Sequence, residues 1–256
     1  MRNVIAIAQK EFKSYFTSPI GYMYVGLFAL LYGFFYVSIL NFFVRQSLQM
    51  NQFGGGPQPL NINQDMLRPI LQNVTVLVLF ILPMVTMRTY SEEKRSGTIE
   101  LLLTSPVTDI EIILGKFFGA MGLYSVGLAV TLIHIAILFI YGTPEWKPLL
   151  TAYIGLELFG ACFISIGLFI SSLTKNQIVA GLATFAVFLL LWVINWIGSF
   201  GGPTFEAVTN YLSIVDHFDD FNKGVIDTTH VVYYLSVITF GLFLTVKSVD
   251  MERWRG

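Results

Sequence analysis

The sequence predicts an all-α membrane protein built from six transmembrane helices, and three observations carry that expectation. Of its 256 residues, 55% are hydrophobic and only 12% are charged, about half the charge content of a soluble globular chain. Six uninterrupted apolar runs approach or exceed the ~20 residues that cross a bilayer. None shows the strict polar alternation of a barrel strand, and a backbone facing lipid must bond to itself, so each run is read as a helix. The 23 Phe and the low charge exclude disorder. A formal net charge of −1 leaves no basic surplus for nucleic-acid phosphates, so no nucleic-acid partner is expected. Cys162 is the only cysteine, which points to an apolar filler rather than a disulfide, metal or cofactor ligand.

Taken in order, residues 1–16 place Val4, Ile5, Ala8, Phe12, Tyr15 and Phe16 on one helical face and Arg2, Gln9 and Lys13 on the other. That pattern predicts an amphipathic helix in the membrane interface, ended by Thr17-Ser18-Pro19; the plain alternative is a soluble helix packed on its own cytoplasmic loops. The spans follow as Ile20 to Val44, Ile70 to Met87, Phe117 to Tyr141, Leu150 to Leu173, Ile178 to Phe200 and Val231 to Val246. The first is too long for a signal-peptide core and no small-residue cleavage site follows it. The sixth is the shortest, with His230 and Lys247 placed to snorkel at its ends. Pro83 predicts a kink in the second span. The connection from Arg45 to Pro69 holds Gly54-Gly55-Gly56-Pro57 and many amides, and reads as a flexible polar loop.

Orientation follows from the basic residues. With the N-terminus inside, the inner segments hold eleven Lys and Arg and the outer segments four, so both termini are expected in the cytoplasm.

The segment from residue 88 to 116, between spans two and three, mixes both signs of charge with a leucine cluster. Thr108-Asp109-Ile110-Glu111 has the spacing of a capping box, with Val107 and Ile112 as its hydrophobic staple, so a helix should start at Thr108 and run into the third span. A separate short helix ending near Thr104 should precede it; the plain alternative is a solvated loop joining two spans.

The string Glu93-Lys94-Arg95-Ser96-Gly97-Thr98-Ile99-Glu100-Leu101-Leu102-Leu103-Thr104-Ser105-Pro106 resembles the signature that follows the second span in ABC-2-type transporter permeases. Gln9-Lys10-Glu11-Phe12, Ser18-Pro19-Ile20-Gly21 and the stretch Tyr211 to Tyr234 are similar to the permeases associated with gliding motility and with nitrous-oxide reductase maturation. The resemblance covers nearly the whole chain and is thinnest over Arg45 to Pro69. It implies one permease domain, 1–256, of ABC-2 exporter type with six spans and both termini inside the inner membrane. It also implies a separate ABC ATPase subunit, a second copy or a related permease, and an accessory periplasmic protein as a further possible partner. Residues 1–19 would form the elbow helix and Glu92 to Thr104 the coupling helix. The docking residues by this resemblance are Glu93, Arg95, Gly97, Thr98, Ile99, Glu100, Leu101, Leu102, Thr104 and Pro106.

The absence of a G-x-x-x-x-G-K-[ST] loop agrees with that division of labour: no cofactor is expected in this chain, with ATP and Mg in the partner, and the chain itself is not expected to be an enzyme. Between residues 201 and 230, Tyr211, Ile214, Val215, Phe218, Phe221 and Val225 fall on one helical face and Asp216, Asp219, Asp220 and Lys223 on the other. This predicts an external helix dipping into the outer leaflet; the acids share its solvent face without ligand spacing, so no metal is expected.

Polar residues inside the spans form the last group. His134 and Glu157 each lie seven residues from the outer end of their span, about 10 Å deep, with Asn195 slightly shallower. These three are expected to share a polar patch, either lining a substrate path or fixing helix packing. Gly115, Gly119 and Gly122 form a small-residue stripe suited to close helix contact. An intramembrane enzyme using His134 and Glu157 fares poorly, because no H-E-x-x-H, G-x-S-x-G or paired-aspartate arrangement is present. An ion-coupled carrier would need midplane charges and internal repeats, and neither is found.

Overall fold

The computed structural model describes residues 2–52, 60–100, 106–198 and 200–253. Its helices are α1 (Arg2–Thr17), α2 (Pro19–Gln52), α3 (Arg68–Thr86), α4 (Ser91–Ser96), α5 (Asp109–Tyr141), α6 (Trp146–Ser172), α7 (Gln177–Gly198), α8 (Pro203–Leu212), α9 (Ile214–Lys223) and α10 (Thr228–Arg253), with a π-helical turn at Ile62–Leu67. Six helical stretches are long and apolar enough to cross a bilayer, and all six overlap the runs read from the sequence. The shortest run, Val231 to Val246, belongs to a helix of 26 residues, so its length is no obstacle. Pro83 lies inside α3, whose helix continues to Thr86.

Burial separates the helices into a centre and a rim. In α3 and α6, 67% of the apolar window is buried, against 17% in α2 and α7. The core therefore runs along α6, where Leu156, Phe159, Phe163 and Leu168 are sealed, with Phe188 of α7 and Phe218 and Phe221 of α9 among the fully buried rings. Cys162 is buried there too, its Sγ 3.3 Å from the Tyr234 carbonyl.

α1 packs lengthwise against the start of α5, and the glycine stripe explains why. A Cβ on Gly115 would fall 2.5 Å from Ile7, one on Gly119 2.6 Å from Glu11, and one on Gly122 3.0 Å from Phe12. The stripe thus seats α1 in parallel register. α2 continues the same line, with the Tyr24 hydroxyl over Gly127. The capping box is formed: Thr108 Oγ1 accepts from the Glu111 amide, and the Glu111 carboxylate accepts from the Thr108 amide and from the Asn3 side chain. Asn3 adds α1 to that cap.

At the opposite end, the expected loop from Arg45 to Pro69 is largely ordered secondary structure: α2 runs two turns past Val44, and the π-helical turn precedes α3. Gly54-Gly55-Gly56-Pro57 lies outside the described residues. Asn61 caps the turn by accepting from the amides of Asn63 and Gln64, while its own amide donates to Asp65. Asn63 then reaches the α5–α6 connection, donating to the Glu145 carbonyl and accepting from the Glu145 amide. The single external helix expected from Tyr211 to Val225 is two helices. Ser213 adopts an extended conformation and caps α9, so Tyr211 sits on α8, while Ile214, Phe218 and Phe221 are buried in the core and Val215 packs at its edge.

Candidate functional site

Both ends of the chain converge on α4. Lys94 of α4 pairs with Glu252 in the last turns of α10, and α1 is tied to α4 through α5. The tie is Lys116, only 1% exposed, which lies one turn before Ala120 on the buried face of α5. Its ammonium donates to Glu93 of α4 at 2.7 Å, to Glu11 of α1 at 3.2 Å and to the Thr89 carbonyl at 3.1 Å. It also lies 5.1 Å from the centre of the Tyr90 ring. An ammonium has three protons and no acceptor role, so the three oxygens saturate it. Breaking such a buried arrangement by removing one partner is far costlier than its net worth suggests, since the others are left charged and unpaired.

The start of α4 is held by α6. Ser171 Oγ accepts from the amides of Tyr90 and Ser91 and donates to the Met87 carbonyl, filling positions that the first turn of α4 leaves open. Arg88 pairs with Glu92 one turn on. α4 ends at Gly97, whose φ of 73° is a left-handed conformation that glycine reaches without a Cβ penalty. The helix expected to run unbroken to Thr104 is therefore interrupted at Gly97 and Thr98, and resumes at Ile99 and Glu100.

The docking residues divide accordingly. Arg95, Gly97, Thr98, Glu100 and Pro106 are exposed. Ile99 is 7% exposed, so it packs inside the chain, and Glu93 is turned inward to Lys116. Leu101, Leu102 and Thr104 lie outside the described residues. Sequence reasoning missed Lys116, Glu11, Thr89 and Ser171. The one signal was a lysine among glycines and apolar residues at the head of an apolar run.

The three intramembrane polar residues do not form one patch. Glu157 accepts from Ser125 at 3.2 Å. His134 packs between Tyr32 and Tyr36, with ring centres 5.3 and 5.1 Å away. Both face a tyrosine-rich seam of α2, α5 and α6, in which Thr131 meets the Tyr153 hydroxyl and Tyr124 donates to the Leu156 carbonyl. Asn195 is elsewhere, donating to Asp216 of α9 at 3.0 Å. Equal depth put two of them in one seam, but helix order sent the third to the outer helices.

A second polar cluster lies at the α9 end. His217 Nε2 donates to the Tyr211 carbonyl at 2.9 Å, and its Nδ1 lies 2.6 Å from His230 Nδ1. His230 Nε2 donates to the Asp220 carboxylate at 2.8 Å. Burial holds the His217 pKa below its ordinary value. The hydrogen bond from His230 holds the Asp220 carboxyl below its own. No group of three potential metal ligands occurs among the described residues.

This architecture has a known family. A model of the ABC-2 family transporter proteins matches residues 5–246. The chain belongs to that family. It is thus a multi-pass membrane permease of an ABC transporter, and the family implies an ABC ATPase as its partner. A comparison with curated proteins finds no match for this permease.

Proposed function

We propose that this permease moves a substrate across or out of the inner membrane, driven by ATP hydrolysed in a separate subunit docked on the α4 end. That end is then cytoplasmic, with both termini on the same side. A second copy of the chain, or a related permease, supplies the other half of the path. ATP and Mg belong to the partner; an accessory periplasmic protein would meet the α8–α9 end.

The observation that carries this reading is the Lys116 junction. Arg95, Gly97, Thr98 and Glu100 offer an exposed polar edge to the ATPase, with Leu101, Leu102, Thr104 and Pro106 following in the chain. Charged residues at such an edge set orientation and specificity. Behind the edge, Glu93 hands displacement of α4 to Lys116, and Lys116 hands it to α5 and, through Glu11, to α1. α1 meets α2 at Ser18, so the first and third spans tilt together. Packed elements that switch as rigid bodies transmit displacement in this way. In this reading the His134 and Glu157 seam holds α2 to α5 and α6 instead of lining the path.

Isolation from native membranes tests the proposal. The permease is expected to retain an ABC ATPase, and scrambling residues 97–102 should release it while the chain still inserts. Full transport by the purified permease in vesicles without an ATPase would overturn the reading.

A further inference from the structure

Two open troughs flank α1 and meet along its length. One, of about 500 Å³, lies between α1 and α5 and is lined by Val4, Ile5, Ala8, Phe12, Leu114 and Phe118. The other, about 630 Å³, carries Lys10, Lys13 and Ser14 along its rim. Gln9 borders both. The apolar trough straddles the point where α5 changes from the Lys116 charge junction to the uninterrupted apolar run beginning at Phe117. In a membrane that is the boundary between headgroups and acyl chains.

We infer that this pair of troughs is a binding site for one anionic phospholipid, its acyl chain between α1 and α5 and its phosphate at Lys10 and Lys13. Three observations support the occupant. The lining of the first trough is apolar, although Ile5 and Phe118 stay 58% and 52% exposed, so the surface awaits a cover. The adjoining rim is basic, and the nearest carboxylate, Glu11, is engaged by buried Lys116, with Lys10 at a longer 3.7 Å. Lys13 has no ion pair among the described residues, although its side chain is exposed beside that rim. An amphipathic helix with a basic edge binds anionic lipid through both parts, apolar burial and charge attraction. A lipid here would also cover the α1–α5 contact, whose glycine register leaves little side chain to shield it.

Native mass spectrometry of the full-length permease in mild detergent, with equimolar dioleoyl phosphatidylglycerol and phosphatidylcholine, tests the site. One phosphatidylglycerol per chain is expected to be preferred. Each basic residue near such a headgroup is worth about fivefold in affinity, so the double variant Lys10→Gln, Lys13→Gln should weaken phosphatidylglycerol about 25-fold and leave phosphatidylcholine unchanged. Both lysines are exposed, so the variants keep the fold, and Lys10→Arg, Lys13→Arg should restore the preference. Phe118→Ser should weaken both lipids alike. Equal retention of the two lipids by the unaltered protein, an undiminished preference in the double glutamine variant, or displacement of phosphatidylglycerol by soluble glycerol phosphate would each overturn the inference.

Discussion

The two ends of the bundle are fastened on different principles. At the α4 end, α1, α4, α5 and the Thr89 turn meet at a single ammonium, Lys116, so one side chain ties α4 to both α1 and α5. At the α9 end the fastening is spread over many neutral bonds to backbone: Asn63 to Glu145, Thr151 to the Phe221 carbonyl, Asn222 to the Arg68 carbonyl, Tyr233 to Leu212 and Tyr234 to Ile214. A shared charge concentrates force at a point; distributed bonds hold a shape. The first arrangement suits a part that must be moved as one piece, and the second a cap that must stay closed while the other end moves.

The contrast can be broken most forcefully at Lys116. Lys116→Met leaves the partly buried Glu11 and Glu93 without their shared cation, a loss of up to about 3–5 kcal/mol. Its melting temperature in detergent should fall sharply, and transport should be lost even where an ATPase still binds. Adding Glu11→Gln and Glu93→Gln should recover much of the stability and none of the transport, separating folding from transmission. A rescue of transport by the triple variant would refute the lever reading.

A milder effect is expected at the distributed end. Asn63→Ala removes two hydrogen bonds to Glu145, each worth about 1 kcal/mol net. The melting temperature should drop by a few degrees, with transport retained. Loss of transport as severe as that of Lys116→Met would erase the difference between the ends.

The smallest effect concerns pH. His217 is held neutral by burial, so its folded pKa lies below the ordinary value near 6.5. The unfolded chain takes up the proton first as pH falls. The stabilisation is therefore whole above about 6.5 and declines below it. A second proton on His217 would stand on Nδ1, 2.6 Å from His230 Nδ1, with Asp216 and Asp220 nearby. Melting temperatures from pH 7.5 to 5.5 should decline more steeply in the unaltered protein than in His217→Gln. Parallel curves would remove His217 from the account.

What the sequence disclosed depends on how local each feature is. Spans rest on runs of apolar residues, and the capping box rests on Thr108 and Glu111 three apart, so both were readable. The glycine stripe was readable as a place of contact, but not its partner, because α1 lies more than 100 residues earlier in the chain. Lys116 stood out locally, but its tie to α1 did not, because Glu11 stands 105 positions away. The division of the outer helix at Ser213 escaped because the apolar period runs through it almost unbroken. The interruption at Gly97 had a local signal, a glycine after a charged turn, and was overridden by the leucines that follow.

The seating of α1 has a consequence for biosynthesis. Among the described residues its extensive neighbours are α2 and the glycine face of α5, which leaves the ribosome about 100 residues later. Until then α1 has no berth. Nascent chains cut before Gly122 should leave it open to proteases, and those extended past that point should bury it, so α1 would settle only once the third span has been made.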